Sequence, residues 1–148
     1  MNDITSYMLE QAKKILSIDS PTGFTAHAAE YVLGAYKKLG YDAKLTNKGG
    51  IFVCVNDGPD QADDPADAPI LLEAHMDTLG GMVCSINEKG RLMLSALGGM
   101  NPNNAEAENC RVYTRSGKVY SGTFQLKNAS IHVNGSYNDT ARSYDTME

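Results

Sequence analysis

His75 and Asp77 stand two residues apart at the end of the apolar run Ile70-Leu71-Leu72-Glu73-Ala74, and Gly80-Gly81 follows shortly after. In an extended strand alternate side chains share a face, so this imidazole and this carboxylate point the same way. Histidine is a common zinc ligand. A neighbouring carboxylate can hold its other ring nitrogen, which fixes the tautomer and raises ligand basicity. The spacing therefore predicts half of a metal site, with His75 as a candidate metal ligand and Asp77 as the carboxylate that can hold its other ring nitrogen. A strand ending at a glycine turn is also where open α/β sheets place ligands. The blander reading of the same pair is a surface histidine salt-bridged to Asp77.

A hydrolytic metal site needs several ligands and a carboxylate base for the bound water. Nothing after Asp77 supplies such a set: the chain has no Glu-Glu pair, no His-Glu-x-x-His and no Cys-x-x-Cys. It also lacks a phosphate loop and a nucleophilic serine motif. His27, in the first turn of an expected helix, and His132, in an expected strand, read as ordinary exposed side chains. Asp57, Asp60, Asp63, Asp64 and Asp67 lack the spacing and closing glutamate of a calcium loop and read as a solvated insertion. Glu106 and Glu108 receive no role.

The elements that must position the pair follow from periodicity. Ile4, Met8, Ala12, Ile15 and Leu16 recur at helical spacing and predict a helix over 4–18. Ser20-Pro21-Thr22-Gly23 is a turn. A second helix is expected over 25–39, with Lys37 and Lys38 complementing its dipole and Gly40 stopping it. Residues 41–45 alternate as a half-exposed strand, whereas 51–55 and 70–74 read as buried strands. Beyond Gly81 the pattern changes to short strands: 82–86 and 91–97 around Asn87-Glu88-Lys89-Gly90, then 111–114 and 118–124 around Arg115-Ser116-Gly117, and a further strand over 129–133. The stretch 134–148 is polar and shows neither periodicity nor a closing strand. A boundary is expected near 81–84.

The 148 residues suffice for one domain or two small ones, and their 42% hydrophobic and 21% charged content is that of a globular protein. A net charge of −5 with scattered Lys and Arg argues against nucleic-acid binding. No apolar run approaches the ~20 residues needed to span a bilayer. The first residues, with Asp3, Glu10, Lys13 and Lys14, do not read as a targeting segment. Cys54, Cys84 and Cys110 are odd in number and widely spaced, which argues for a reducing, cytoplasmic setting, with Cys54 and Cys84 as buried thiols. Asn128-Ala129-Ser130, Asn134-Gly135-Ser136 and Asn138-Asp139-Thr140 match the glycosylation pattern by coincidence in such a setting.

The segment from Ala74 to Val83 resembles the first metal-ligand motif of the glutamyl aminopeptidase and cellulase M family of tetrahedral metalloaminopeptidases. Ser20-Pro21-Thr22-Gly23 is similar to that family's N-terminal turn. Leu97-Gly98-Gly99-Met100 and the hairpin from Arg111 are similar to its inserted β-domain. The resemblance implies the N-terminal part of an α/β metallopeptidase domain (1–82) followed by part of a small inserted β-barrel used in assembly (83–148). It implies two divalent metal ions, zinc or cobalt, per complete subunit, with His75 as a ligand and Asp77 orienting it. Peptide substrates and a homo-oligomer, a dodecamer in the family, are implied as partners. The family's bridging aspartate, its Glu-Glu pair and its other ligands follow the β-domain, so the expectation is an N-terminal fragment that is inactive alone. Its apolar strands would carry an exposed flank and favour association.

Two other functions fit the same residues. The related metallocarboxypeptidase and deacylase group also uses a His-x-Asp strand. Alternatively, the chain is a non-catalytic assembly module that binds a full-length relative through its β-domain.

Overall fold

The computed structural model describes residues 3–55 and 70–148. The acidic loop expected over 56–69 lies outside the described residues. The chain divides into two compact units, Met1–Thr78 and Leu79–Glu148.

The first unit begins with helix α1, Asp3–Leu16, with Asp3 in its first turn and Lys13 and Lys14 in its last, matching the helix dipole. Helix α2, Ala26–Lys38, buries Ala28 and Ala29. Tyr31 donates its hydroxyl to Gln11 Oε1 at 2.7 Å and ties the two helices together. Gly40, at φ +91°, donates its N–H to Lys37 O and stops α2 where the sequence placed the stop. Strands β1, Lys44–Leu45, and β2, Ile51–Phe52, form a short antiparallel hairpin across a turn at Gly49.

The apolar runs 51–55 and 70–74 do not form the buried strands expected of them. The first contributes only two residues to a ladder, and Phe52 and Val55 are exposed. The second is unpaired among the described residues, with Ile70, Leu71 and Leu72 at 87%, 70% and 90% exposure. A buried parallel strand needs ladders on both flanks and cover on both faces. The described residues of this unit provide neither, so hydrophobicity alone does not bury the segment.

The second unit is built from hairpins. Strand β3, Gly80–Ile86, pairs antiparallel with β4, Leu92–Leu97, with a bulge between Val83 and Ser85. Asn87 Oδ1 accepts from the N–H groups of Lys89 and Arg91 and shapes the connecting turn, while Gly90 takes φ +77°. Because β3 begins at Gly80 and pairs along its length with β4, the divide between units falls after Thr78 rather than within the hairpin. A short helix α3, Pro102–Ala105, is capped by Asn101, whose side chain accepts from Asn103 N at 3.0 Å. Strand β5, Asn109–Tyr113, pairs antiparallel with β6, Val119–Thr123. The two hairpins are separate two-stranded sheets, so no barrel closes among the described residues.

The core of this unit is Ala105, Phe124, Leu126 and Met147, with Leu94, Met100, Tyr137 and Tyr144 packed against it. Two expectations fail here. Residues 129–133 make no strand; 131–133 form a turn, with Ile131 and Val133 exposed. The polar stretch 134–148 does close on the fold: Met147 is fully buried and bridges antiparallel to Leu126, and Gln125 and Glu148 exchange both backbone hydrogen bonds. Met147 makes this closure together with Tyr137 and Tyr144 of the same stretch, and no periodicity announces it. Cys54 and Cys84 are exposed, not buried. Cys84 sits at the β3 bulge, where its side chain turns to Met93 O.

Candidate metal site at His75

The turn at Ser20-Pro21-Thr22-Gly23 builds the platform. Phe24 N donates to Pro21 O at 2.7 Å and Gly23 takes φ +85°, the hydrogen bond and positive φ of a type II turn. Pro21 bridges Thr78 in parallel fashion, and Thr78 N donates to Ser20 O at 2.7 Å. The turn and the segment carrying His75 and Asp77 are thus fastened by backbone, although the chain between them runs over more than fifty residues.

His75 and Asp77 come together as their spacing predicts. His75 Nδ1 lies 2.9 Å from Asp77 O and 3.2 Å from Asp77 Oδ1. Both partners only accept hydrogen bonds, so Nδ1 carries the proton and donates. In the neutral ring Nε2 then presents a free lone pair, the form in which imidazole binds a metal. The His75 side chain is 85% exposed and that of Asp77 39%. Asp77 Oδ2 accepts from the Thr22 hydroxyl at 2.7 Å. That hydrogen bond is the main reason the Asp77 carboxyl is held below its ordinary value, with a lesser contribution from the nearby His75.

The donor chemistry suits a divalent metal at one position: a histidine with a free Nε2 and a carboxylate behind it. Among the described residues no group of three or more His, Cys, Asp and Glu side chains gathers around a common point. His27 stays outside the site, its ring edge-on to Phe24 at 5.6 Å. His132 is exposed in a turn of the second unit. Thr22 was legible only as part of a turn, because nothing local shows that its hydroxyl meets a carboxylate 55 positions away.

The profile of the M42 glutamyl aminopeptidase family matches residues 50–148, which include His75 and Asp77. The chain belongs to that family. "Putative aminopeptidase YhfE" of Bacillus subtilis is 34% identical over 140 residues, covering 95% of this chain and 39% of that protein. The glutamyl aminopeptidase of Lactococcus lactis subsp. cremoris is 32% identical over 112 residues, covering 75% of this chain and 30% of that protein. The M42 chain thus spans about two fifths or less of the length of these curated relatives. Among solved structures, the TET aminopeptidase of a marine-sediment Thaumarchaeota archaeon superposes with a TM-score of 0.75 at 19% identity, over 98% of this chain and 38% of that one. PhTET1-12s, solved as a dodecamer, gives 0.73 at 22% identity, over 95% of this chain and 39% of that one. At those identities the likeness is one of fold. No helix among the described residues is long and apolar enough to cross a membrane.

Proposed function

We propose that this M42 chain is the N-terminal part of a metal-dependent aminopeptidase, in which His75 ligates one of two divalent ions, zinc or cobalt, and Asp77 orients it. The observation that carries the reading is the His75 ring itself. Two acceptors converge on Nδ1 and leave an exposed Nε2 in a chain that belongs to this peptidase family. The metal, when bound, supplies Lewis acidity for water activation. The residues of this chain hold one ligand in the right tautomer and keep a carboxylate ionised beside it.

The first unit, Met1–Thr78, then belongs to the catalytic α/β domain and the second, Leu79–Glu148, to part of an inserted β-barrel used in assembly into a homo-oligomer. The substrates are peptides with a free amino terminus. The odd number and wide spacing of the three cysteines fit a cytoplasmic setting. Family membership favours this reading over the carboxypeptidase and deacylase group.

One described ligand cannot form a dinuclear centre, so the 148-residue chain assayed alone should release no N-terminal residues from peptides with zinc or cobalt. Release that follows added metal, and that is lost in His75→Ala, would refute the fragment reading. The intact mass of the natural gene product completes the test. A mass well above 16.0 kDa supports a longer enzyme that carries the remaining ligands. A mass near that value favours the assembly module.

A further inference from the structure

Asp77 holds His75 Nδ1 at two points, its backbone carbonyl at 2.9 Å and its Oδ1 at 3.2 Å, and the second lasts only while the carboxylate keeps one orientation. Its side chain is 39% exposed, and a half-exposed carboxylate on a rotatable stem loses entropy when fixed. Something must therefore select the rotamer that turns Oδ1 to His75 Nδ1. Thr22 occupies the other oxygen: its hydroxyl donates to Asp77 Oδ2 at 2.7 Å. The Thr22 backbone is itself fixed. Pro21 presets its own φ, Gly23 takes a positive φ, and the Phe24 N–H closes the turn on Pro21 O. The bridge from Pro21 to Thr78 and the bond from Thr78 N to Ser20 O set the turn in register with Asp77.

We propose that Thr22 is a positioning residue of this site, whose hydroxyl locks the Asp77 carboxylate against His75 and so, together with the Asp77 backbone carbonyl, holds the ring in its Nδ1–H tautomer with Nε2 free for a metal. The metal part of this statement rests on the reading of His75 as a ligand; the tautomer part does not.

The test uses the 148-residue chain, its Thr22→Val variant, which keeps the shape and removes the hydroxyl, and Thr22→Ser, which keeps the hydroxyl. The ring ¹⁵N shifts of His75 in its neutral form, assigned with His75→Gln, report the tautomer. Wild type and Thr22→Ser should show the Nδ1–H form, and Thr22→Val, which keeps only the backbone carbonyl as a fixed acceptor, an increased share of the Nε2–H form. Zinc titration read on the same resonances should show weaker binding in Thr22→Val by about tenfold, the low end for an outer-shell partner, with recovery in Thr22→Ser. An unchanged tautomer in a folded Thr22→Val would overturn the proposal, even if that variant melts earlier. If Thr22→Val does not fold, a mixed tautomer in Thr22→Ser counts against the proposal and a retained Nδ1–H form supports it. Zinc that leaves the wild-type His75 resonances unmoved would show that this one ligand is too weak without the rest of the set, and Thr22 would then stand or fall on the tautomer alone.

Discussion

Glu106 grips Arg142 with both carboxylate oxygens: Arg142 Nε donates to Oε2 at 2.8 Å and a terminal guanidinium nitrogen to Oε1 at 3.1 Å. The guanidinium also donates to the backbone carbonyls of Tyr137 and Thr140 and lies 4.7 Å from the centre of the Tyr137 ring. The side chains are only 22% and 13% exposed, so this pair staples the polar stretch after residue 133 to the loop that follows α3. A bidentate pair adds geometric specificity as well as attraction.

The staple predicts an acid-sensitive second unit. Hydrogen bonding from Arg142 is the main cause that holds the Glu106 carboxyl below its ordinary range. A group depressed on folding stabilises fully above its unfolded value and loses that contribution as pH falls through the folded one. Glu106→Gln should therefore be less stable than wild type near neutrality. The gap should close as the pH drops below the ordinary carboxylate range. Urea unfolding at several pH values checks this; a gap that stays constant into acid would rule the staple out as its source.

Met147 is fully buried in a polar stretch, so Met147→Ala should cost about 2–5 kcal/mol by loss of transfer energy and cavity formation. Met147→Leu should cost under about 1.5 kcal/mol. Denaturant midpoints of the two variants decide whether the closure on Leu126 carries this weight or is ornamental.

Gly117 takes φ +81° in the turn between β5 and β6, and a Cβ there meets nothing within 4 Å. The cost of Gly117→Ala is then purely conformational, about 1 kcal/mol. Gly99 also has open space but no positive φ, so Gly99→Ala serves as the control and should not lose stability on this account. Equal losses at both positions would contradict the strain argument.

Ile70, Leu71 and Leu72 form an exposed apolar run without a ladder partner among the described residues. Such a run is a template for association. Sedimentation velocity should show concentration-dependent self-association of the 148-residue chain, reduced in Leu72→Lys. Wild type and variant sedimenting alike as monomers would show that the run is inert.

The sequence by itself determined whatever rests on local spacing. Both helices, the Gly40 stop and the hairpin turns at Gly90 and Gly117 follow from short-range periodicity and backbone preference. So does the meeting of His75 and Asp77, because the two stand only two residues apart in the chain. Tertiary structure alone decided the rest. It placed Thr22 on Asp77, Glu106 on Arg142 and Met147 on Leu126, pairs separated by tens of residues that no local pattern links. It also left 70–74 exposed, because a buried strand is made by its neighbours rather than by its own hydrophobicity.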